Sequence, residues 1–248
     1  MKKLSVITNV LACLMIVAAA LGAACGALVS LATNVDFYSG MSRQAVMETL
    51  GVTDALDVSC QTTAYIGLTD EQQRAFAEET VRFMRGETER QPDILNEKER
   101  QHMLDVRGLI LLAQKASQLC MTASAALAVV IAWMSARERR RGLPPGVIAG
   151  LLIVAALAGG AYALLHVSGF ERIFTGMHEL LFTNDLWLMD PQTDILIRMM
   201  PQRLFERAGM ELAYLALKSI VITWVLLCMV YMLVGGMIRR NLTEREKQ

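Results

Sequence analysis

The sequence predicts a mainly α-helical membrane protein, with a bundle of four transmembrane helices and an extracytoplasmic cap built from two inserts. Its 248 residues are 54% apolar and only 19% charged, and the mean hydropathy of +0.39 is typical of membrane proteins. Four apolar segments are long enough to cross the bilayer, and two polar stretches separate them. The formal net charge is zero, so nothing indicates a nucleic-acid partner.

The first apolar segment, Leu4 to Ala32, has two possible interpretations, a transmembrane helix or a secretory signal peptide. A signal peptide has an apolar core of about 7–15 residues, and this run is much longer. The sequence Gly22 to Cys25 faintly resembles a lipoprotein cleavage box, but Gly22 stands where a Leu-like residue is needed and the apolar run continues beyond Cys25. We therefore expect an uncleaved transmembrane helix.

Basic residues predict the topology. Lys2 and Lys3, the run Arg137 to Arg141, and Arg239 with Arg240 flank three membrane ends, which the positive-inside rule places in the cytoplasm. Both termini are then cytoplasmic and both inserts lie outside. The expected order is a first span at 1–33, an insert at 34–107, a second span at 108–136, a cytoplasmic loop at 137–143, a third span at 144–168, an insert at 169–211, a fourth span at 212–238 and a cytoplasmic tail at 239–248.

The first insert contains one clear helix, Thr69 to Gly86, because Thr69 and Gln72 have the spacing of a capping box and Gly86 is a natural stop. Ser42 to Leu50 is a shorter helix candidate, and Leu56 to Ile66 is a strand candidate. Glu97 to Gln114 is expected to be helical and to continue into the second span.

The second insert has apolar residues at helical spacing on both sides of Pro201, which predicts two short amphipathic helices. The first contains Ile195, Leu196, Met199 and Met200, and the second contains Leu204, Phe205 and Ala208. Two placements are open, since such helices lie on the membrane surface or pack against the first insert.

Two polar clusters, Asn96 to Arg107 and Gly176 to Pro191, stand next to the outer ends of the second and third spans. A short turn joins these spans, so they should pack as antiparallel neighbours with their outer ends side by side. We therefore expect His102 and His178 to come together at the outer face of the membrane. The chain has only three histidines, and two of them lie in these clusters.

Each candidate residue also has a plainer interpretation. His102 and Asp105 share a helix face, where the carboxylate orients the imidazole or both are simply solvated. Asn184, next to Asp185, is suited to donating a hydrogen bond to an oxyanion. Trp187 is also explained by an interfacial aromatic belt, and Asp190 by a turn before a helix.

A metal site made of His102, Asp105 and His178 is chemically possible, but their spacing matches no strong zinc motif, so we expect no metal or other cofactor. The five cysteines form no CxxC pair, and four of them lie in apolar runs. This pattern supports neither a zinc knuckle nor a disulfide framework.

Two motifs carry a resemblance to the Lit family, the lipoprotein intramolecular transacylases of bacterial membranes. The first is an acid-rich run that ends in His-Met-x-Asp-Val, here Glu97, Glu99, His102, Met103, Asp105 and Val106. The second stands here as His178, Leu181, Phe182, Asn184, Asp185, Trp187, Asp190, Pro191, Thr193 and Asp194. Leu181 replaces an aromatic residue, and Leu95 and Met177 stand where the family often has Phe, which affects packing more than chemistry. The similarity covers nearly the whole chain in topology and segment order.

The resemblance implies an enzyme that moves the sn-2 acyl chain of an S-diacylglyceryl-Cys lipoprotein to the α-amine of the same Cys. It implies catalysis by His102 and His178, with Asp105, Asn184 and Asp185 in supporting roles. Trp187 and Asp190 are expected to contact the substrate. Diacylated lipoproteins and membrane lipids are the expected partners of a monomeric multi-pass protein of the bacterial plasma membrane.

The expected chemistry is general acid and base catalysis, with His178 as the base for the amine and His102 as the acid for the leaving glycerol oxygen, or with these roles exchanged. Asp105 would orient His102, and Asn184 would help to hold the oxyanion. Two alternatives remain, a membrane-embedded metal-dependent hydrolase that uses the same residues and a non-enzymatic membrane partner protein.

Overall fold

The computed structural model describes residues 2–41, 44, 47–48, 51, 64–138 and 143–245, and it contains no strand in this part of the chain. The α-helices of these residues are α1 Lys2–Ala32, α2 Asp70–Met84, α3 Glu97–Arg137, α4 Pro145–Ser168, α5 Phe170–Leu181, α6 Ile195–Met199 and α7 Gln202–Arg245. A π-helical turn, Phe37–Met41, lies between α1 and α2.

Four of these helices are long and apolar enough to cross a membrane, within Ser5–Ala32, Glu97–Arg137, Pro145–Leu164 and Gln202–Ile238. Many of their large apolar side chains are exposed, as expected for surfaces that face lipid. The predicted fold class, a mainly α membrane protein with four transmembrane helices, is confirmed.

The first compact unit consists of Met1–Ala27, Lys115–Val167 and Leu215–Gln248. Its core is made of buried side chains from all four long helices, namely Ala12, Met15, Ile16, Ala19, Ala128, Ile131, Ala132, Val147, Leu227 and Tyr231. Two hydroxyls of α3 donate to carbonyls of α1, Ser117 Oγ to Gly22 at 2.8 Å and Ser124 Oγ to Met15 at 3.3 Å. Small and hydroxyl side chains of this kind let membrane helices approach closely.

Helices α1 and α4 approach each other closely at Gly146 and Gly150. A Cβ added to Gly146 would lie 1.8 Å from the carbonyl oxygen of Asn9, and one added to Gly150 would lie 2.8 Å from Cβ of Ile16. The two glycines are four residues apart, so they lie on one face of α4 and form a small-xxx-small contact.

Replacement of Gly146 by Ala should therefore separate α1 from α4, because a backbone carbonyl cannot turn aside as a flexible side chain can. We expect a loss of about 1–3 kcal/mol of stability, as for other overpacked sites. Thermal unfolding of the purified protein in detergent measures this loss of stability. Gly159→Ala on the same helix is the control, since no atom lies within 4 Å of a Cβ there. Equal melting temperatures of the two variants would show that Gly146 is not in close contact with α1.

The second compact unit consists of Leu28–Gln114 and Ser168–Tyr214, and it contains the described parts of both polar inserts. Its core includes Phe76, Phe83 and Met84 of α2, Met103 and Ile110 of α3, and Leu196 and Met199 of α6. The predicted capping box of α2 is confirmed, because the Thr69 hydroxyl accepts from the Gln72 amide and the Gln72 side chain accepts from the Thr69 amide.

The helices of the second insert differ in part from the prediction. The first short helix is present as α6, and it packs against the first insert, with Leu196 and Met199 buried in the common core. The second is not a separate short helix but the start of α7, which has 44 residues. Pro201 separates the two helices because it lacks an N–H, whereas the single Gly209 does not break α7.

Helix α3 runs from Glu97 to Arg137 without interruption, which confirms the expected continuation of Glu97 to Gln114. Most of the Ser42 to Leu50 helix candidate and residues 56–63 of the strand candidate lie outside the described residues. The described end of the strand candidate, Ala64 to Ile66, is helical, so the strand prediction is wrong there.

Candidate active site

His102 lies in the second turn of α3, on the polar part of the helix that precedes its apolar segment. The side chain is only 7% exposed, and its Nδ1 is buried without a hydrogen-bond partner among the described residues. The ring of Phe182 stands 5.1 Å away between centroids and covers one side of the imidazole. His102 is thus held in a largely apolar environment, which disfavours a charged imidazolium.

His178 lies in the last turn of α5, and its Nδ1 is 2.7 Å from the carbonyl oxygen of Phe174. A carbonyl only accepts, so Nδ1 carries the hydrogen and the neutral ring has its lone pair on Nε2. Aromatic rings surround the imidazole, with centroids at 4.1 Å for Phe174, 5.0 Å for Trp187 and 5.5 Å for Phe182. Tautomer and orientation are therefore fixed before a substrate binds.

The two imidazoles lie next to each other, with ring centroids 6.3 Å apart and planes inclined by 26°. The prediction that His102 and His178 come together across 76 residues of sequence is confirmed by this distance. Both belong to the second unit, which also contains the other polar residues of the site. One small polar group beside both rings would be within reach of a nitrogen of each.

The pKa of His102 is lowered to about 4. Burial is the largest cause, the nearby His178 lowers the pKa further, and the Asp105 carboxylate opposes both. His102 is consequently neutral near pH 7.

This shift predicts that acid destabilises the protein. Because the pKa is about 6.5 in an unfolded chain and about 4 in the folded one, the unfolded chain binds a proton that the folded chain excludes between these values. The free energy of unfolding should therefore fall as the pH falls from about 6.5 towards about 4. In His102→Gln the melting temperature should drop less between about pH 7.5 and about pH 5 than in the wild type. Equal decreases in the melting temperatures of the wild type and His102→Gln would contradict the lowered pKa of His102.

Asp105 does not form the expected hydrogen bond to His102. Its Oδ2 instead accepts from Nδ2 of Asn184 at 3.0 Å, and Oδ1 of Asn184 accepts from the Leu186 amide at 3.1 Å. The carboxylate thus fixes the amide of Asn184 and acts on His102 through its charge. An amide nitrogen has two hydrogens, so Asn184 retains a second donor for a substrate oxygen.

The other predicted residues have different surroundings. Trp187 contacts His178, which the interfacial-belt interpretation did not predict. Asp190 is exposed, and its Oδ1 accepts from the Gln192 amide at 2.9 Å in the turn that precedes α6, as the turn interpretation predicted. Asp185 is also exposed, and its backbone carbonyl accepts from Leu188.

Sequence reasoning missed the importance of a buried polar network behind the histidines. Glu99 is 1% exposed, and its two oxygens accept from the Leu196 amide at 2.6 Å and the Asn96 amide at 2.8 Å. Oδ1 of Asn96 accepts in return from the Glu99 amide at 3.0 Å. The Asn-x-x-Glu spacing of a capping box was the sequence signal that could have revealed this pair.

Asp194 joins the same network from the second insert. It is 3% exposed and accepts from Nδ2 of Asn96 and from the Asp190 amide, each at 2.8 Å. Burial raises the pKa of Asp194, but these hydrogen bonds and the Lys98 ammonium outweigh it, so the pKa lies below its usual range. Lys98 also donates to the carbonyl of Leu188, which ties the start of α3 to the segment after Trp187.

The described residues contain no group of three His, Cys, Asp or Glu side chains arranged to hold a metal ion. His102 and His178 do lie together, but Asp105 turns towards Asn184. The arrangement can bind a polar headgroup, accept a proton at Nε2 of His178 and donate hydrogen bonds to an oxygen.

Solved structures of the membrane integral lipoprotein intramolecular transacylase Lit from Bacillus cereus have a similar fold. One matches with a TM-score of 0.67 at 15% identity and covers 93% of this chain and 97% of that chain. A histidine-to-arginine variant of that protein matches with a TM-score of 0.64 at 15% identity, covering 100% and 96%. A histidine-to-alanine variant matches with 0.67 at 14% identity, covering 90% and 93%.

No curated protein matches this chain by sequence. A family model does match, the one described as lipoprotein intramolecular transacylase Lit, over residues 55–205. The matched region is more than half of the chain and includes both motifs that carried the resemblance. The chain therefore belongs to the Lit family of lipoprotein intramolecular transacylases, and it is an acyltransferase.

Proposed function

We propose that this enzyme moves the sn-2 acyl chain of an S-diacylglyceryl-Cys lipoprotein to the α-amine of the same Cys, at a site built around His102 and His178. The single observation that carries the proposal is the pair of imidazoles 6.3 Å apart, one of which has a fixed tautomer with its lone pair on Nε2. Donor and acceptor belong to one molecule, so positioning supplies much of the rate.

The amine nitrogen attacks the ester carbonyl carbon, and Nε2 of His178 takes the proton that the nitrogen loses. The hydrogen bond from Nδ1 to Phe174 supports this role, because it keeps the lone pair on Nε2. The carbon–oxygen bond of the ester then breaks, and the glycerol oxygen receives the same proton. The products are an N-acyl amide and a free sn-2 hydroxyl, so the reaction is an isomerisation that needs no cofactor.

His102 acts as a neutral hydrogen-bond donor in this proposal and not as an acid that is protonated beforehand, since its pKa is about 4. A neutral imidazole that polarises a carbonyl is an established catalytic device. Asn184, fixed by Asp105, donates its second amide hydrogen to the oxyanion. His102 therefore stabilises negative charge on oxygen, while His178 moves the proton.

We also propose that the enzyme acts as a monomer with both termini in the cytoplasm and the site at the outer face. Lys2, Arg137 and Arg240 support this orientation, because they stand near ends of α1, α3 and α7, and the positive-inside rule places such basic ends in the cytoplasm. A Glu78→Cys variant in a Cys60→Ser background tests it. The exposed position in α2 should react with a membrane-impermeant maleimide in intact cells, and protection until lysis would contradict the orientation.

The reaction is tested in a bacterial host that cannot N-acylate lipoproteins by other means. Expression of the chain should produce a reporter lipoprotein whose N-terminus carries one N-acyl and one S-monoacylglyceryl group, as measured by mass spectrometry. Absence of this species, with the protein properly inserted, would reject the proposal.

The activity should survive a chelator, and loss of activity that zinc restores would favour the metal-dependent hydrolase.

A further inference from the structure

Two adjoining depressions lie beside His178 within the second unit and form one groove. The inner depression, of about 380 Å³, has Phe174 and Trp187 in its wall, and both rings contact the His178 imidazole. The outer depression, of about 720 Å³, is wide open and extends to Glu179 and Glu206. The two share Phe170, Glu171, Thr175 and Gln202, so a chain can pass from one to the other.

The walls of this groove carry an excess of negative charge. Their carboxylates are Glu171, Glu179, Asp190 and Glu206, and their one cation is Arg172. Arg203 neutralises Glu206 at 2.8 Å. Glu171 and Glu179 are exposed and have no ion-pair partner among the described residues, so their charge is available to a bound molecule.

The chemistry of the substrate indicates what such a groove receives. The Cα of an acylated cysteine carries three branches, namely the side chain with its glyceryl and acyl groups, the α-amine, and the polypeptide. Acyl chains are stable in the bilayer, and the amine must reach His178 for the reaction. The polypeptide therefore needs a route that leads from His178 to water. The groove provides one, because its largely apolar end has Phe174 and Trp187 in its wall and its open end carries Glu179 and Glu206.

We infer that this groove binds the first residues of the lipoprotein polypeptide after the acylated cysteine and that its carboxylates favour basic over acidic residues there. The inference rests on the proposed function and adds a sequence preference to it. Glu171 and Glu179 contribute most to this preference, because both are exposed and neither carboxylate has a cation or a hydrogen-bond donor as a partner among the described residues. Asp190 is exposed as well, but its Oδ1 already accepts from the Gln192 amide.

Two synthetic S-diacylglyceryl lipopeptides that differ only after the cysteine, one with lysines and one with glutamates, test the inference on the purified full chain. The lysine peptide should have a kcat/KM about fivefold higher, because several exposed charge pairs each contribute modestly. The double variant Glu171→Gln with Glu179→Gln should bring the ratio close to unity, and added salt should do the same. Glu79→Gln is the matched control and should keep the wild-type ratio, because Glu79 is an exposed carboxylate of α2 that also lacks an ion-pair partner among the described residues.

Each result has a distinct meaning. A ratio near unity in the wild type, a preference for the glutamate peptide, or a double variant with an unchanged ratio would overturn the inference and leave the reaction itself intact. Failure of both peptides to react with the folded purified enzyme would overturn the proposed function, and the inference with it.

Discussion

Replacement of His178 by Ala is expected to lower kcat by about two to four orders of magnitude, the usual contribution of a general base. The amine has a pKa of about 8 and must lose a proton to form the amide, so the reaction depends on an acceptor at the right place. The His102 imidazole does not have the same fixed lone pair, since its Nδ1 lacks a partner among the described residues. The rate of acyl transfer to a synthetic lipopeptide measures the effect.

Leu180→Ala is the control for this variant, because Leu180 lies on the same helix with its side chain 85% exposed. We expect it to retain the wild-type kcat. His102→Ala should also lower kcat strongly, but the double variant should be little slower than the slower single variant, because both rings act on the same transition state. A His178→Ala enzyme with nearly wild-type kcat would exclude His178 as the base.

Replacement of Glu99 by Ala is expected to lower the free energy of unfolding by about 2–4 kcal/mol, because buried backbone amides lose their acceptors. Loss of the acceptor for the Leu196 amide should contribute most of this decrease, since that amide lies in the buried contact between α3 and α6. This loss corresponds to a decrease of about 5–10 °C in melting temperature. Activity should fall as well, since the same network fixes the segment that carries Trp187.

Glu97→Ala provides the comparison, because Glu97 lies two residues before Glu99 in α3 but is exposed. Its removal should change stability by less than about 1 kcal/mol, the usual contribution of an acidic residue to a helix N-terminus. Glu99→Gln keeps the volume but presents an amide donor to a backbone donor, so it should also destabilise. Similar melting temperatures for Glu99→Ala and Glu97→Ala would contradict the structural importance of the network.

Local patterns in the sequence predicted the helices and the meeting of the two histidines. Apolar length identified the spans, and the Thr69 capping box identified the start of α2, because both signals depend on neighbouring residues. The proximity of His102 and His178 followed from one short turn between two helices. The start of α7 was predicted as a separate short helix because its first turns are amphipathic and its later turns are apolar.

The partners of the polar side chains were not predictable in the same way. Asp105 shares a helix face with His102, yet Asn184, 79 residues away, receives its hydrogen bond. The bond that the Leu196 amide donates to Glu99 and the one that Asn96 donates to Asp194 also join residues nearly a hundred positions apart. Such contacts depend on how the two inserts pack, and residue spacing carries no information about that.

Isotope labelling of the sn-2 chain tests the central claim most directly. A synthetic S-diacylglyceryl lipopeptide with this label is incubated with the purified enzyme, and fragment masses locate the label. The account predicts that the label moves to the α-amine while the mass of the whole molecule stays unchanged, and that His102→Ala and His178→Ala abolish the movement. Release of the labelled chain as free fatty acid, or transfer at wild-type rate in both variants, would contradict it.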